Sequence, residues 1–199
     1  PLVNEHMHVE NMGFDPSEYV PQKPSFEIYL DQLADSTITC SLFAVYKDEK
    51  YNVFEGLENN GRRDTASEKE IDEFLSPWFN HFNRQKHLLE IFQDDDKLYA
   101  LLREGIPQMT DLAAVFISDN FKKLQIHDMP KFSVGVSVAH DLVQLNLVSD
   151  TMSNKQLAEI LAKYDSKKKY YRLKNGDFLN IDDSIQELAD LKESLSLTS

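Results

Sequence analysis

Cysteine is almost absent from this chain: Cys40 is the only one among 199 residues. A single thiol excludes a disulfide framework and any metal site built from several cysteines. Cys40 lies within the apolar run TITCSLFAVY, a setting that favours a buried core thiol over a reactive one. Because structural disulfides are missing, we expect a reducing, cytoplasmic location.

Long hydrophobic runs and glycine-rich loops are also missing. No run approaches about 18 apolar residues, and the first residues lack a signal-peptide pattern, so we expect no membrane segment. None of the six glycines is followed by lysine, which excludes a Walker phosphate loop, and no G-x-G-x-x-G fingerprint occurs. Since the chain begins at Pro1 without a methionine, we expect a piece of a longer polypeptide.

Positive charge is scarce overall but concentrated in one segment. The chain has 21 Lys and Arg against 34 Asp and Glu, a net charge of -13, which disfavours broad electrostatic binding to nucleic acid or anionic membranes. Residues 166–176 reverse this balance with five basic residues and no acidic one. The remaining residues carry 16 basic against 34 acidic side chains, a net charge of -18.

The order of apolar patterns predicts an α+β fold, in which mainly antiparallel hairpins are interspersed with single amphipathic helices. Residues 1–37, interrupted by Pro16, Pro21 and Pro24, are interpreted as an extended arm with a short helix at Phe26 to Leu33. Residues 38–195 are predicted to form the α+β region, as one domain or two small subdomains.

Four hairpins and several helices are predicted from local patterns. The hairpins join TITCSLFAVY to KYNVFEG, AAVFIS to FKKLQIH, residues 132–139 to LVQLNLV, and KKYYRL to FLNI around Asn175-Gly176. HLLEIF is a further short strand. Helices are predicted after capping boxes at Ser67 and Ser153, after the acidic run at Asp94 with a stop at Gly105 and Pro107, and near the chain end through Ile185 and Leu188.

Several motifs with potential chemistry have simpler interpretations. The segment GVSVA resembles a nucleophile elbow, but it lies within an alternating strand rather than a strand-to-helix turn. His6 and His8 lack further metal ligands, and the acids of DDDK are explained by helix capping. Arg62, Arg63 and Asp64 could recognise phosphate or a neighbouring domain, although a surface ion-pair loop is favoured.

The basic hairpin carries the candidate contact residues. Cations neutralise phosphates and aromatic rings stack on bases, so lysine and arginine interleaved with tyrosine suit a nucleic-acid surface. The same pattern suits docking onto an acidic partner, or an edge strand protected by lysines against aggregation. All three interpretations stay open, and the residues concerned are Lys167, Lys168, Lys169, Tyr170, Arg172 and Lys174.

The segment LAEILAKYDSKKKYYRLKNGDFLNIDDSIQELADL resembles the end of the bacterial SNF2 helicase-associated domain. The resemblance extends through KFSVGVSVAHDLVQLNL, LYALLREGIPQM and GRRDTASE, over roughly residues 38 to 195. It implies an accessory region that precedes the ATPase module of bacterial Swi/Snf-type helicases, with catalytic motifs C-terminal to Ser199.

This resemblance sets the functional expectations. The parent enzyme would be an ATP-driven DNA helicase or translocase that uses ATP and magnesium, and this chain would itself supply no catalytic residue, cofactor site or metal site. Its partners would be the ATPase module and, on one interpretation, DNA. The alternative is a protein-interaction or regulatory module that docks on the ATPase lobes or another partner without touching DNA.

Overall fold

The computed structural model describes residues 23–47, 49–56, 63–139, 142–149 and 151–197. Within these residues, strands form one six-stranded sheet, one three-stranded sheet and one two-stranded ribbon, with helices between them. Most neighbouring strands are antiparallel, and the predicted α+β class is confirmed. His6, His8 and Arg62 lie outside the described residues.

The six-stranded sheet has the order β4-β5-β2-β1-β6, and β3 also pairs with β2. Its pairs are antiparallel except for the parallel pair of β1 and β6. The predicted hairpin after Thr37 is confirmed by the pairing of β2 with β3. The strands are β1 Ser25–Gln32, β2 Ile38–Tyr46, β3 Glu49–Asn52, β4 His81–Asn83, β5 Leu88–Ile91 and β6 Ala114–Ile117.

Alternation along β1 and β2 directs one face of this sheet into the main core. Ile28 and Leu30 of β1 and Leu42 of β2 are almost fully buried, as is Cys40. Burial raises the pKa of the Cys40 thiol well above its ordinary range. The predicted core role of this cysteine is therefore confirmed.

The first helix, α1 at Thr65–Leu75, packs on the sheet through Ile71 and Leu75. Asp64 caps it by accepting a hydrogen bond from the Ser67 amide, so the predicted capping box that begins at Ser67 is wrong. The correct cap lies three residues earlier, where an aspartate can satisfy the first free amides.

The helix that begins after the acidic run is longer than predicted. Asp94 caps α2 at Asp95–Ala100, as expected, but a π-helical turn at Leu101–Gly105 then leads directly into α3 at Ile106–Leu112. The predicted stop at Gly105 and Pro107 is therefore wrong. The helix accommodates Pro107 directly after this π-helical turn, where the regular α-helical hydrogen-bond pattern is already interrupted.

The three-stranded sheet has the order β10-β11-β7, with β10 and β11 antiparallel and β11 and β7 parallel. The predicted hairpin around Asn175 and Gly176 is confirmed. The capping box at Ser153 is also confirmed. The elements of this region are β7 Ile126–His127, α4 Asn154–Ala162, β10 Tyr170–Arg172, β11 Phe178–Asn180 and α5 Asp183–Leu197.

The two-stranded ribbon joins β8 at Phe132–Ala139 to β9 at Leu142–Ser149. Its antiparallel register pairs Phe132 with Ser149 and Ala139 with Leu142. This confirms the hairpin predicted from strict alternation. The GVSVA segment lies within β8, in a strand interior rather than at a strand-to-helix turn.

Two further predictions are wrong for a common reason. The helix expected at Phe26 to Leu33 is strand β1, and the hairpin expected from AAVFIS and FKKLQIH does not form, because β6 pairs with β1 and β7 pairs with β11. Both pairings join segments that are distant in sequence, so local patterns did not reveal them. The division into an arm at 1–37 and a region at 38–195 stays a prediction.

Candidate nucleic-acid or partner interface

The basic hairpin turns tightly between β10 and β11. The Leu173 amide donates to the Asp177 carbonyl at 2.8 Å, and the Gly176 amide donates to the Leu173 carbonyl at 3.0 Å. Gly176 has φ +95°, a left-handed conformation that suits glycine. The Asn175-Gly176 pair thus fixes the register of the hairpin, as the sequence predicted.

Asp177 ties this turn to strand β7. Its carboxylate accepts hydrogen bonds from the Gln125 amide at 3.1 Å and from Asn175 at 2.7 Å, and it lies 3.0 Å from His127 Nε2. Burial acts to raise the pKa of Asp177, but these partners together outweigh it and hold the pKa below the ordinary range. This buried carboxylate therefore helps to fix the turn of the basic hairpin against β7.

Tyr170 anchors β10 in the main core. Its ring is buried and stacks on Tyr99 with 4.6 Å between ring centroids, and Phe178 packs against it edge-on at 5.1 Å. Its hydroxyl donates to Asp96, and burial followed by this hydrogen bond raises the pKa of Tyr170. The ring is not free to stack on a base in this structure. A contact role for Tyr170 stays a prediction.

Two hairpin cations face the acidic start of α2. Lys168 Nζ lies 3.5 Å from Asp96 Oδ1, and Arg172 Nε lies 3.7 Å from Asp95 Oδ1. The hydrogen bond from Tyr170, with a smaller contribution from the charge of Lys168, lowers the pKa of Asp96. Lys168 and Arg172 are thus partly neutralised by carboxylates of the same chain.

Lys174 is held by α4 across a shallow cleft. Its ammonium lies 2.9 Å from Glu159 Oε2, and this hydrogen bond raises the pKa of Lys174 and lowers that of Glu159. The cleft has a volume of about 470 Å³ and is bounded by Ile160 and Tyr171 among others. It presents apolar and charged groups side by side, as an interaction surface does.

Lys167 and Lys169 differ from the other hairpin cations. Both are exposed, and neither forms an ion pair with any side chain in the described part of the chain. Their charges are therefore the ones most available to an external anion. The structure thus divides the predicted contact residues into two open lysines, three paired cations and one buried tyrosine.

The carboxylates that meet the hairpin were missed at the level of sequence. In the sequence, helix capping explains Asp95 and Asp96, and no pattern distinguishes Glu159. The true cap is Asp94, whose carboxylate accepts from the Lys97 amide at 2.9 Å. One aspartate is enough to cap a helix, so the two further aspartates in this run were the signal in the sequence that these acids make another contact.

The loop before α1 forms a second polar cluster, and here the expected surface ion pair is wrong. Arg63 Nη2 lies 2.5 Å from Glu68 Oε2, with both side chains buried, and Tyr46 donates to Glu68 Oε1 at 2.6 Å. The Tyr46 hydroxyl in turn accepts from the Asp64 amide at 2.8 Å. This network fixes the start of α1 to β2 and leaves no charge of Arg63 for phosphate.

The described residues offer no grouped metal ligands, because no three His, Cys, Asp or Glu side chains among them are placed to hold an ion. A membrane-crossing helix is likewise not found in the ranges that the structure describes, since none there combines the required length and apolar character. The polar clusters described above are instead ion pairs and hydrogen-bonded turns.

The fold and the site together define an α+β domain whose distinctive surface is a hairpin of paired and open cations. The sequence matches the family described as bacterial SNF2 helicase associated over residues 1–199, the whole chain, and the chain belongs to that family. The resemblance inferred for residues 38–195 is confirmed, and the match includes the first 37 residues as well. No curated protein and no solved structure matches the chain. The description of the family associates it with bacterial SNF2 helicases.

Proposed function

We propose that this chain is a noncatalytic accessory domain that helps the ATPase module of a bacterial SNF2-family helicase or translocase to engage DNA. Family membership supplies the helicase context. The observation that supports the DNA role is the exposure of Lys167 and Lys169 just before β10, with neither ammonium in an ion pair among the described residues. Asp165 lies beside Lys167, but its carboxylate accepts a hydrogen bond from the Lys167 amide at 2.9 Å. Exposed ammonium groups two residues apart in the sequence are suited to a phosphate backbone.

The proposed contact is to phosphates rather than to bases. Tyr170 is packed in the core and Arg172 covers the Phe178 ring at 4.1 Å, so neither side chain is placed to stack on a base. Phosphate contacts position a protein on DNA without reading its sequence. We therefore expect binding that depends strongly on salt and weakly on DNA sequence.

On this proposal, catalysis takes place in the ATPase module of the same polypeptide. ATP and magnesium would bind there, and this domain would hold or orient the duplex beside it. A cytoplasmic location follows from the same proposal, because the parent enzyme acts on DNA inside the bacterial cell.

The test is fluorescence anisotropy of duplex and single-stranded DNA with this chain over a salt series. The variant Lys167→Glu with Lys169→Glu is expected to lose binding at least tenfold at low salt. The control Lys122→Glu with Lys123→Glu makes the same charge change at two exposed lysines on a separate turn. If both variants lose the same amount of DNA affinity, the loss is explained by the change in net charge, and a specific contact at the hairpin is contradicted.

A second candidate function is docking on an acidic protein surface without DNA. It is favoured by the pairing of Lys168, Arg172 and Lys174 with carboxylates of this chain, since the hairpin already binds acidic side chains. Retention of the isolated ATPase module by this chain in nuclease-treated samples would support docking. Retention lost in the Lys167→Glu, Lys169→Glu variant would assign it to the hairpin.

A further inference from the structure

The acidic start of α2 lies where a bound phosphate would be expected. Asp96 lies against Lys168 at 3.5 Å, and Asp95 lies against Arg172 at 3.7 Å. Two cations of the basic hairpin are thus paired with carboxylates from a helix that is distant in sequence. A carboxylate in such a place competes for the same charge as a DNA phosphate.

These two acids are not required as caps. Asp94 alone accepts the capping hydrogen bond at the start of α2. Asp95 and Asp96 add a modest interaction with the helix dipole, which one acid would already supply. The hydrogen bond from Tyr170 accounts for the position of Asp96, whereas neither capping nor that bond accounts for the position of Asp95 beside Arg172.

The pair of Arg172 with Asp95 can exchange partners without moving the backbone, and Lys168 can leave Asp96, although the Asp96 carboxylate itself is held by the Tyr170 hydroxyl. The carboxylates of Asp95 and Asp96 are 52% and 69% exposed, and exposed pairs at such distances are weak and screened by salt. The strand itself is held by the stacking of Tyr170 on Tyr99. An external anion could thus take the place of either carboxylate while β10 stays fixed.

The Arg172 side chain lines a cleft of about 260 Å³ together with Asp95, Lys163 and Lys168 among others. Its Nη1 has no hydrogen-bond partner among the described residues, but this atom is shielded from solvent, so the guanidinium must turn before Nη1 can donate to a phosphate in the cleft. A phosphate group offers several acceptor oxygens in a geometry that guanidinium matches well, whereas the present contact with Asp95 is long and uses Nε.

We propose that Asp95 and Asp96 are an internal mask of the basic hairpin, and that backbone phosphates of DNA displace them from Lys168 and Arg172. This inference rests on the proposed function, because it requires DNA at the hairpin. Lys167 and Lys169 make the first contact with DNA. Lys168 and Arg172 then bind phosphate as well, but only once the DNA is held close to the hairpin. The mask weakens chance binding of anions by the domain.

The test compares Asp95→Asn with Asp96→Asn against a control that makes the same charge change elsewhere. Asparagine keeps an acceptor oxygen for Tyr170 and leaves the Asp94 cap unchanged. The control, Asp111→Asn with Asp119→Asn, removes two exposed acids that flank β6. Unmasking is expected to tighten duplex DNA binding about fivefold at low salt. The dependence of log affinity on log salt should steepen by roughly 0.9 for each freed cation.

A binding-independent measurement separates the mask from the DNA contact. In a brief amine-acylation experiment read by mass spectrometry, Lys168 should react more slowly than Lys169 in the wild type, and at a similar rate after Asp96→Asn. Unchanged labelling of Lys168 would overturn the mask, even if the variant bound DNA more tightly.

The DNA measurements distinguish the two proposals. Equal tightening in the unmasked variant and in the control overturns the mask but leaves the contact through Lys167 and Lys169 intact. Absence of DNA binding by the wild type and every variant at low salt overturns the proposed DNA contact, and phosphate displacement with it. Tighter binding confined to the unmasked variant, with a steeper salt dependence, supports both.

Discussion

Tyr170 donates a hydrogen bond to Asp96 across 74 positions of the sequence, and it joins the basic hairpin to the start of α2. The ring of Tyr170 belongs to the main core, whereas its hydroxyl reaches the acidic surface. One side chain therefore fixes both the position of the hairpin and the carboxylate that faces Lys168. Changes at this pair should affect stability and surface charge together.

The first prediction is that Tyr170→Phe lowers the free energy of unfolding by about 1 kcal/mol. The ring packing is kept and one hydrogen bond to a carboxylate is lost, while exposed Asp96 regains water. The measurement is denaturant unfolding followed by circular dichroism. Tyr171→Phe is the control, since no hydroxyl partner of Tyr171 occurs among the described residues, and it should change stability by less than about 0.5 kcal/mol. Equal effects in both variants would contradict the prediction.

The second prediction concerns acid stability through Asp177. Its pKa is lowered in the folded state, so it contributes stability that is present above the unfolded value near 3.9 and is lost as pH falls through the folded value. The stability difference between wild type and Asp177→Asn should therefore be largest near neutral pH and shrink below about pH 4. Denaturant unfolding from pH 7 to 3 measures it. If the unfolding free energies of wild type and Asp177→Asn differ by the same amount at every pH in this range, the charge of the Asp177 carboxylate makes no contribution to stability.

Local signals account for the parts of the fold that were predicted correctly. The alternation of Phe132 to Ala139 and the Asn175-Gly176 turn each act over a few residues, so each could be interpreted without knowledge of the rest. Strand β1 was missed because Pro21 and Pro24 precede it closely. The parallel partners of β6 and β7 were missed because nothing within a segment specifies a partner that is far along the chain.

For the candidate site, too, the sequence reveals the residues of one segment but not their partners elsewhere in the chain. The cations of the hairpin are visible in the sequence as the one basic segment of an acidic chain. The separation of 72 positions between Lys168 and Asp96 hides which of them are paired. Burial of Tyr170 was also hidden, because an alternating basic strand has two similar faces until the core selects one of them.

The third prediction is that Glu68→Gln destabilises the protein by about 3 kcal/mol or more. The Arg63 side chain is only 6% exposed, so removal of its partner's charge leaves a buried guanidinium without its counter-charge and with one acceptor oxygen fewer. The same substitution at Glu73 removes the exposed pair with Lys69, at 3.4 Å and one helical turn apart. That control should cost only a few tenths of a kcal/mol. Similar losses of unfolding free energy in the two variants would mean that the buried pair contributes no more to stability than the exposed pair does.

The fourth prediction is that Gly105→Ala destabilises the protein by about 1 to 2 kcal/mol, although alanine normally favours a helix interior over glycine by nearly 1 kcal/mol. Gly105 has helical dihedral angles, so the backbone would accept alanine. The obstacle is packing, because an added methyl would lie 2.9 Å from Leu101 Cδ1 and 3.1 Å from the Trp78 ring. Leu101 is fully buried and has little room to move aside. Denaturant unfolding decides the sign: a loss of stability means that the π-helical turn needs glycine for close contact with Trp78, and a gain means that the core around it can adjust.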